Sequence, residues 1–100
     1  MFKLKFLVGF AKSYKKIIKG NSILEKQFLK TLKLLKIDPQ YPSLQSHKVD
    51  VVGQSDVWVS RMSGDVRIAW LYDEEEQLVI NCIKLGTHGG ANQIYNNKSN

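Results

Sequence analysis

Two lysine-backed apolar stripes follow one another near the N-terminus of this chain, and a pair of helices carrying them has no way to bury both faces alone. Phe10, Tyr14, Ile17 and Ile18 are spaced as one face of a short helix, and Leu24, Phe28, Leu32 and Leu35 as one face of a second. Gly20 and Asn21 end the first helix in the manner of a C-terminal cap. Ser22 and Glu25 then read as a capping box that opens the second. Lys26, Lys30, Lys33 and Lys36 fall largely outside the apolar stripe. A helical hairpin of this kind needs a sheet to cover it.

The remaining segments supply one. Residues 2–8 alternate Phe2, Leu4 and Phe6 with Lys3 and Lys5, a half-buried strand that Gly9 terminates. Asp38-Pro39 ends the second helix, and a polar connection runs to about Asp56, carrying Ser46-His47-Lys48-Val49. Two β-rich runs at 57–62 and 66–72 flank Ser63-Gly64-Asp65, the pattern of an antiparallel hairpin. The acidic turn at 73–77 reverses the chain into 78–85, and the last two strands are apolar on both faces, as central strands are. The predicted order is β-α-α-β-β-β, an α+β domain with the helical hairpin packed on a mainly antiparallel sheet. At 100 residues this is a single domain, 1–95, with 96–100 as a flexible tail.

Charge narrows the function classes. The net charge is +6, and eleven lysines in the first half face only Glu25, Asp38 and Asp50. A basic half attracts polyanions such as nucleic acid, an anionic membrane or an acidic protein. A solvated lysine face explains the same numbers. The apolar stripes are needed to cover the sheet, which argues against membrane association, and no segment is long enough to cross a bilayer. The start, MFKLKFLVGFAKSYKK, imitates a secretory signal but lacks a small-residue cleavage site. Cys82 stands alone in an apolar strand, a buried thiol in a reducing compartment. A cytoplasmic location is expected.

Histidine, arginine and lysine carry whatever chemistry there is. The chain contains no glycine-rich phosphate loop, no paired catalytic carboxylates and no Ser or Cys nucleophile with its base. Two histidines without clustered carboxylates give too few ligands for a metal, and no cofactor is expected. His88 follows the end of the last strand in LGTHGG, with glycines that leave its backbone uncrowded or merely make a turn. His47 lies in the connection beside Lys48, where an exposed loop histidine is the plain alternative. Arg61 and Arg67, the only arginines, flank the Ser63–Asp65 turn, and their planar forks match phosphate oxygens. Pairing with Asp65 or with Glu74–Glu76 is their structural alternative. Tyr95 either stacks on a base or packs the C-terminus. Trp58, Trp70 and Tyr72 alternate as packing residues. Such a set suits RNA cleavage, in which a base takes the 2′-hydroxyl proton, cations hold the phosphorane and an acid protonates the departing 5′-oxygen.

The chain resembles the RelE/ParE superfamily of toxins from bacterial type II toxin–antitoxin systems, most closely its RelE/YafQ-like branch. The resemblance runs from Lys3 to Tyr95 and rests on the strand with two lysine-rich helices, His47-Lys48 before the hairpin, the run SGDVRIAW at 63–70 and LGTH at 85–88. It implies a metal-independent, ribosome-dependent mRNA endoribonuclease held in check by a cognate antitoxin. By position it implies catalytic roles for His47, His88, Arg67 and Tyr95, and RNA or phosphate contacts for Lys48, Arg61, Asp65 and Lys84. The chain departs from the pattern in two places. Arg61 stands where the branch often has another histidine, and the family's aromatic comes about four residues after the histidine, whereas the six residues 89–94 intervene between His88 and Tyr95. A ParE-like gyrase inhibitor and a non-catalytic RNA- or antitoxin-binding relative share the same expected fold.

Overall fold

The computed structural model describes residues 1–51, 54–90, 93 and 94. Its elements run β1 (Lys3–Phe6), α1 (Val8–Ile17), α2 (Ser22–Ile37), a 3-10 turn (Pro42–Leu44), β2 (His47–Val51), β3 (Gln54–Arg61), β4 (Val66–Tyr72) and β5 (Val79–Thr87). The strands form one sheet in the order β1-β5-β4-β3-β2. β1 lies parallel to β5, and the other neighbours are antiparallel. The α+β class is the expected one, with a strand more than the sequence suggested. β2 occupies part of the segment read as a polar connection. Five residues carrying a histidine, a lysine and an aspartate give periodicity too little to register, and pairing with β3 is what makes them a strand.

Both helices lie on one face of the sheet with the stripes that the spacing predicts. Phe10, Ile18, Phe28 and Leu35 are buried there against Ile68, Trp70, Ile80 and Cys82, while Tyr14, Ile17, Leu24 and Leu32 pack at the margin. Two local details differ from the sequence reading. Gly9 does not break the chain but sits in the first turn of α1, where a side chain would come within 3.4 Å of the Ile83 carbonyl. The cap of α2 is Asn21 rather than Ser22, because Asn21 holds the extended backbone a cap requires. Its Oδ1 accepts the Leu24 N–H at 3.0 Å, and Glu25 reaches back to the Gly20 N–H.

A second, smaller apolar cluster forms on the opposite face from Val57, Val59, Ala69 and Ile94. Ile94 arrives there because the chain folds back after β5, with its N–H donating to the Thr87 carbonyl at 2.7 Å. Cys82 is a fully buried thiol whose pKa burial pushes up to about 12, so it is inert as a nucleophile.

One buried polar chain crosses the helix-side core. The Trp70 indole N–H donates to Ser60 Oγ at 2.7 Å, and Ser60 Oγ lies 2.6 Å from Ser46 Oγ. Ser46 donates to the Pro39 carbonyl at 2.7 Å, so its single proton is spent and Ser60 must be the donor between the two hydroxyls. Trp70 and Ser60 are fully buried, and Trp58 stacks on Trp70 at 5.7 Å. Replacing Ser60 with Ala leaves two polar groups short of a partner. We expect Ser60→Ala to lower unfolding stability by about 1–3 kcal/mol, read from the urea midpoint.

At the β4–β5 turn, the Asp73 carboxylate accepts from Asn81 and from the Glu76 and Glu75 N–H groups, which holds its pKa below the ordinary carboxylate value. A depressed carboxylate adds stability above its unfolded pKa of about 4 and loses it as pH falls through the folded value. Asp73→Ala should therefore flatten the acid limb of a stability–pH curve below about pH 4.

Candidate functional site

Strand register places most of the singled-out residues on the sheet face that the helices leave uncovered. His47 pairs with Val59, Val59 with Ala69, and Ala69 with Lys84, so these four form one row across β2, β3, β4 and β5. The next row toward the β3–β4 turn is Arg61, Arg67 and Gly86. Val59 and Ala69 belong to the cluster under Ile94, which fixes this as the face away from the helices. Arg61 and Arg67 stand directly opposite each other on antiparallel strands, an arrangement that costs stability for like charges. His47 lies diagonally across from Arg61. Beyond Gly86 the chain continues through Thr87 to His88 at the same end of the sheet. The β2 and β5 backbones are three strand spacings apart, roughly 14 Å, so the arginines lie between the two histidines.

Local geometry sets how each group is presented. Gln45 adopts a left-handed backbone (φ 48°) at the end of the 3-10 turn. Its carbonyl sits 3.1 Å from His47 Nδ1, and its side-chain oxygen accepts from Arg61 Nη1 at 3.5 Å. A carbonyl only accepts, so the neutral His47 ring donates from Nδ1 and carries its lone pair on Nε2. Arg67 is half-buried, and its Nη1 donates to the Ser63 carbonyl at 2.8 Å, which fixes the guanidinium against the turn. His88 is exposed, but its backbone is clamped. The His88 N–H meets the Asp65 carbonyl at 2.7 Å and the Asp65 carboxylate at 3.2 Å, and Gln93 donates to the His88 carbonyl.

Lys48 and Asp65 are engaged elsewhere in the fold. Lys48 alternates with His47 along β2 and therefore lies on the other face, over the Trp58 ring at 5.7 Å and paired with Asp56 at 3.4 Å. It is separated from the cluster by the sheet itself. The Asp65 carboxylate accepts the His88 backbone N–H and so holds that backbone in place. Lys84 shares the row of His47. Tyr95 lies outside the described residues. Among the described residues, no group of three or more His, Cys, Asp or Glu is gathered to hold a metal.

Sequence reasoning passed over Gln45, Gln93 and Ile94. Gln45 links His47 to Arg61 through a strained backbone that no side-chain pattern announces. Gln93 and Ile94 were spacers after His88, although a lone isoleucine in a polar, glycine-rich segment is a signal for a docking point.

No family model matches the chain, and no curated protein sequence does. Solved structures do match. The chain is similar to a metal-bound toxin from Helicobacter pylori, at 21% identity over 88% of this chain and 96% of that one, with a TM-score of 0.69. It is similar to a YoeB/ParE toxin from Agrobacterium tumefaciens at 11% identity, covering 88% of this chain and all (100%) of that one, TM-score 0.71. A chain of the heterotetrameric YoeB-YefM toxin-antitoxin complex from Staphylococcus aureus matches at 13% identity over 84% and 93%, TM-score 0.64. The fold is that of RelE/ParE-type toxins. At such identities the likeness fixes the backbone fold, and the side-chain roles in this chain rest on its own geometry.

The opposed arginines give a test that is independent of any activity. Arg61→Ala removes a like-charge repulsion and a 3.5 Å contact on an exposed residue. Thermal or urea unfolding should show stability unchanged or raised by up to about 1 kcal/mol. A loss larger than that would make the pair structural.

Proposed function

We propose that this chain is the toxin of a type II toxin–antitoxin pair and an endoribonuclease that cuts mRNA on the ribosome. The observation that carries the reading is the Arg61–Arg67 pair, two like charges opposed on an uncovered sheet face and flanked by imidazoles. Folding gains nothing from that arrangement, whereas an anion seated between the guanidiniums relieves it. The similarity of the fold to solved toxins, one of them in a complex with its antitoxin, supports a toxin with a cognate antitoxin protein. Among the described residues no helix is long and apolar enough to cross a membrane, and the proposed substrate puts the protein in the cytoplasm.

The chemistry follows from the placement. A phosphodiester over the arginines has its non-bridging oxygens within reach of both guanidiniums, with Lys84 adding positive charge from the neighbouring row. His47 Nε2 takes the proton from the 2′-hydroxyl, and the 2′-oxygen attacks phosphorus. Charge grows on the phosphorane oxygens, where fixed guanidiniums stabilise it more than they stabilise the ground state. The bond to the 5′-oxygen breaks as a proton arrives from His88, with Tyr95 as the alternative donor, leaving a 2′,3′-cyclic phosphate and a 5′-hydroxyl. The scheme calls on imidazole and guanidinium groups and uses no metal.

Removing a general acid or base costs roughly 10²–10⁴ in rate. We expect His88→Ala to lower mRNA cleavage by that factor and to abolish growth arrest on induction, with circular dichroism and melting temperature unchanged. An undiminished cleavage rate in a folded variant removes His88 from the scheme. Growth arrest with DNA damage and intact mRNA would assign the fold to gyrase inhibition instead.

A further inference from the structure

A groove of about 690 Å³ runs between α1 and β5, on the side of the molecule away from β2. Its position follows from the sheet. β1 pairs only as far as Phe6 with Cys82, so among the described residues the edge of β5 from Ile83 to Gly86 has no strand beside it, until Gln93 bridges Thr87. Helix α1 crosses there instead, and Ser13 Oγ accepts the Leu85 N–H at 2.8 Å in place of a strand carbonyl. Lys12 and Lys16 line the groove from the helix and Lys84 from the strand, and no carboxylate lines it among the described residues. None of the hydrogen bonds or ion pairs of the catalytic row uses Lys12 or Lys16.

We propose that this groove holds the backbone of the single-stranded RNA next to the scissile nucleotide. Three features favour RNA over an acidic protein segment. The groove adjoins the site on the β5 side, because Lys84 stands one row from Gly86 and Arg67, and Gln93, another lining residue, donates to the His88 carbonyl. Lys12 and Lys16 are one helical turn apart, roughly 6 Å along the axis, close to the step between successive phosphates of an extended strand. Leu7, Val8 and Ile83 also line the groove, an apolar surface against which a sugar or base can lie while the lysines take the phosphates. The proposal rests on the RNA-cleaving reading above and adds the path of the strand. A helix face that otherwise only covers β5 becomes part of substrate binding.

The test separates binding from cleavage. A 2′-O-methyl RNA oligonucleotide has no attacking hydroxyl, so its affinity for the full chain reports the groove whether or not the chain is a nuclease. Each lysine–phosphate contact on a single strand contributes about 0.7 to the slope of log K against log salt. The double variant Lys12→Gln/Lys16→Gln should lower that slope by about 1.4 and weaken binding at least tenfold at low salt, while Lys26→Gln/Lys30→Gln, the same charge change on α2, leaves the slope unaltered. With cleavable RNA the groove variant should raise KM and spare kcat. An equal loss in the α2 control would reduce the effect to net charge and overturn the proposal. Unaltered oligonucleotide affinity would overturn it too, assigning the lysines to a protein partner, or to ribosomal RNA if only ribosome binding falls. Normal oligonucleotide binding by a groove-intact chain that cuts no RNA would instead condemn the nuclease reading.

Discussion

The hydrogen-bonded chain from the Trp70 indole through Ser60 and Ser46 to the Pro39 carbonyl is the interaction on which the rest of the structure turns. It is buried where an unmet polar group is costly, and each member uses its one proton once. It joins four pieces of chain: the central strand β4, its neighbour β3, the approach to β2 and the exit of α2. Apolar packing against Trp70 fixes which side chains face the core. The directed bonds add a defined position for each hydroxyl. Because Ser46 is fixed, His47 begins β2 at a defined place, and Gln45 immediately before it is held in the left-handed turn that meets both His47 and Arg61.

A sheet with helices on one side only has a face to spare. Here the spare face is closed in part, by Ile94 over Val57, Val59 and Ala69, and the row nearest the β3–β4 turn is left to arginines. Arg67 is pinned by turn carbonyls, and Arg61 touches one glutamine. Neither has an ion pair among those described, although Asp65 is close by in sequence. Asp65 faces the His88 backbone, and its charge therefore organises the site without cancelling it. The acidic residues that could neutralise the arginines are gathered instead at the far turn, where Asp73 binds Asn81 and Glu76 binds Lys5.

Legibility followed the strength of periodicity. The helix stripes, the Ser63–Asp65 hairpin and the central strands could be read from Phe10, Phe28, Leu35, Trp70 and Ile80, because burial imposes a period on many residues at once. β2 could not, since it is short, polar and defined by its partner. The cap moved by one residue because Asn21 and Ser22 are equally good candidates until backbone angles are known. Of the residues singled out by type, His47, Arg61, Arg67, Lys84 and His88 share one face or one end of the sheet. Parity was invisible. Lys48 looked as useful as His47, yet adjacent residues on a strand point to opposite sides, and only the pairing with Val59 and Trp58 says which is which.

Parity also explains how Lys84 comes to the site. Cys82 pairs with Trp70 and faces the helices, so an unbroken strand would send Lys84 to the same side, into the apolar core. The register shifts between Ala69 and Trp70, and the additional residue in β5, Ile83, lets Lys84 pair with Ala69 on the uncovered face while Leu85 returns to the core. A bulge twists and re-aims a strand, and this one exchanges the two sets of side chains midway along β5. Upstream of it the strand serves packing; downstream it delivers Lys84, Gly86 and finally His88 to the arginine row. Where β5 changes role, β1 has already ended and α1 takes its place at the edge, its lysines beside Lys84.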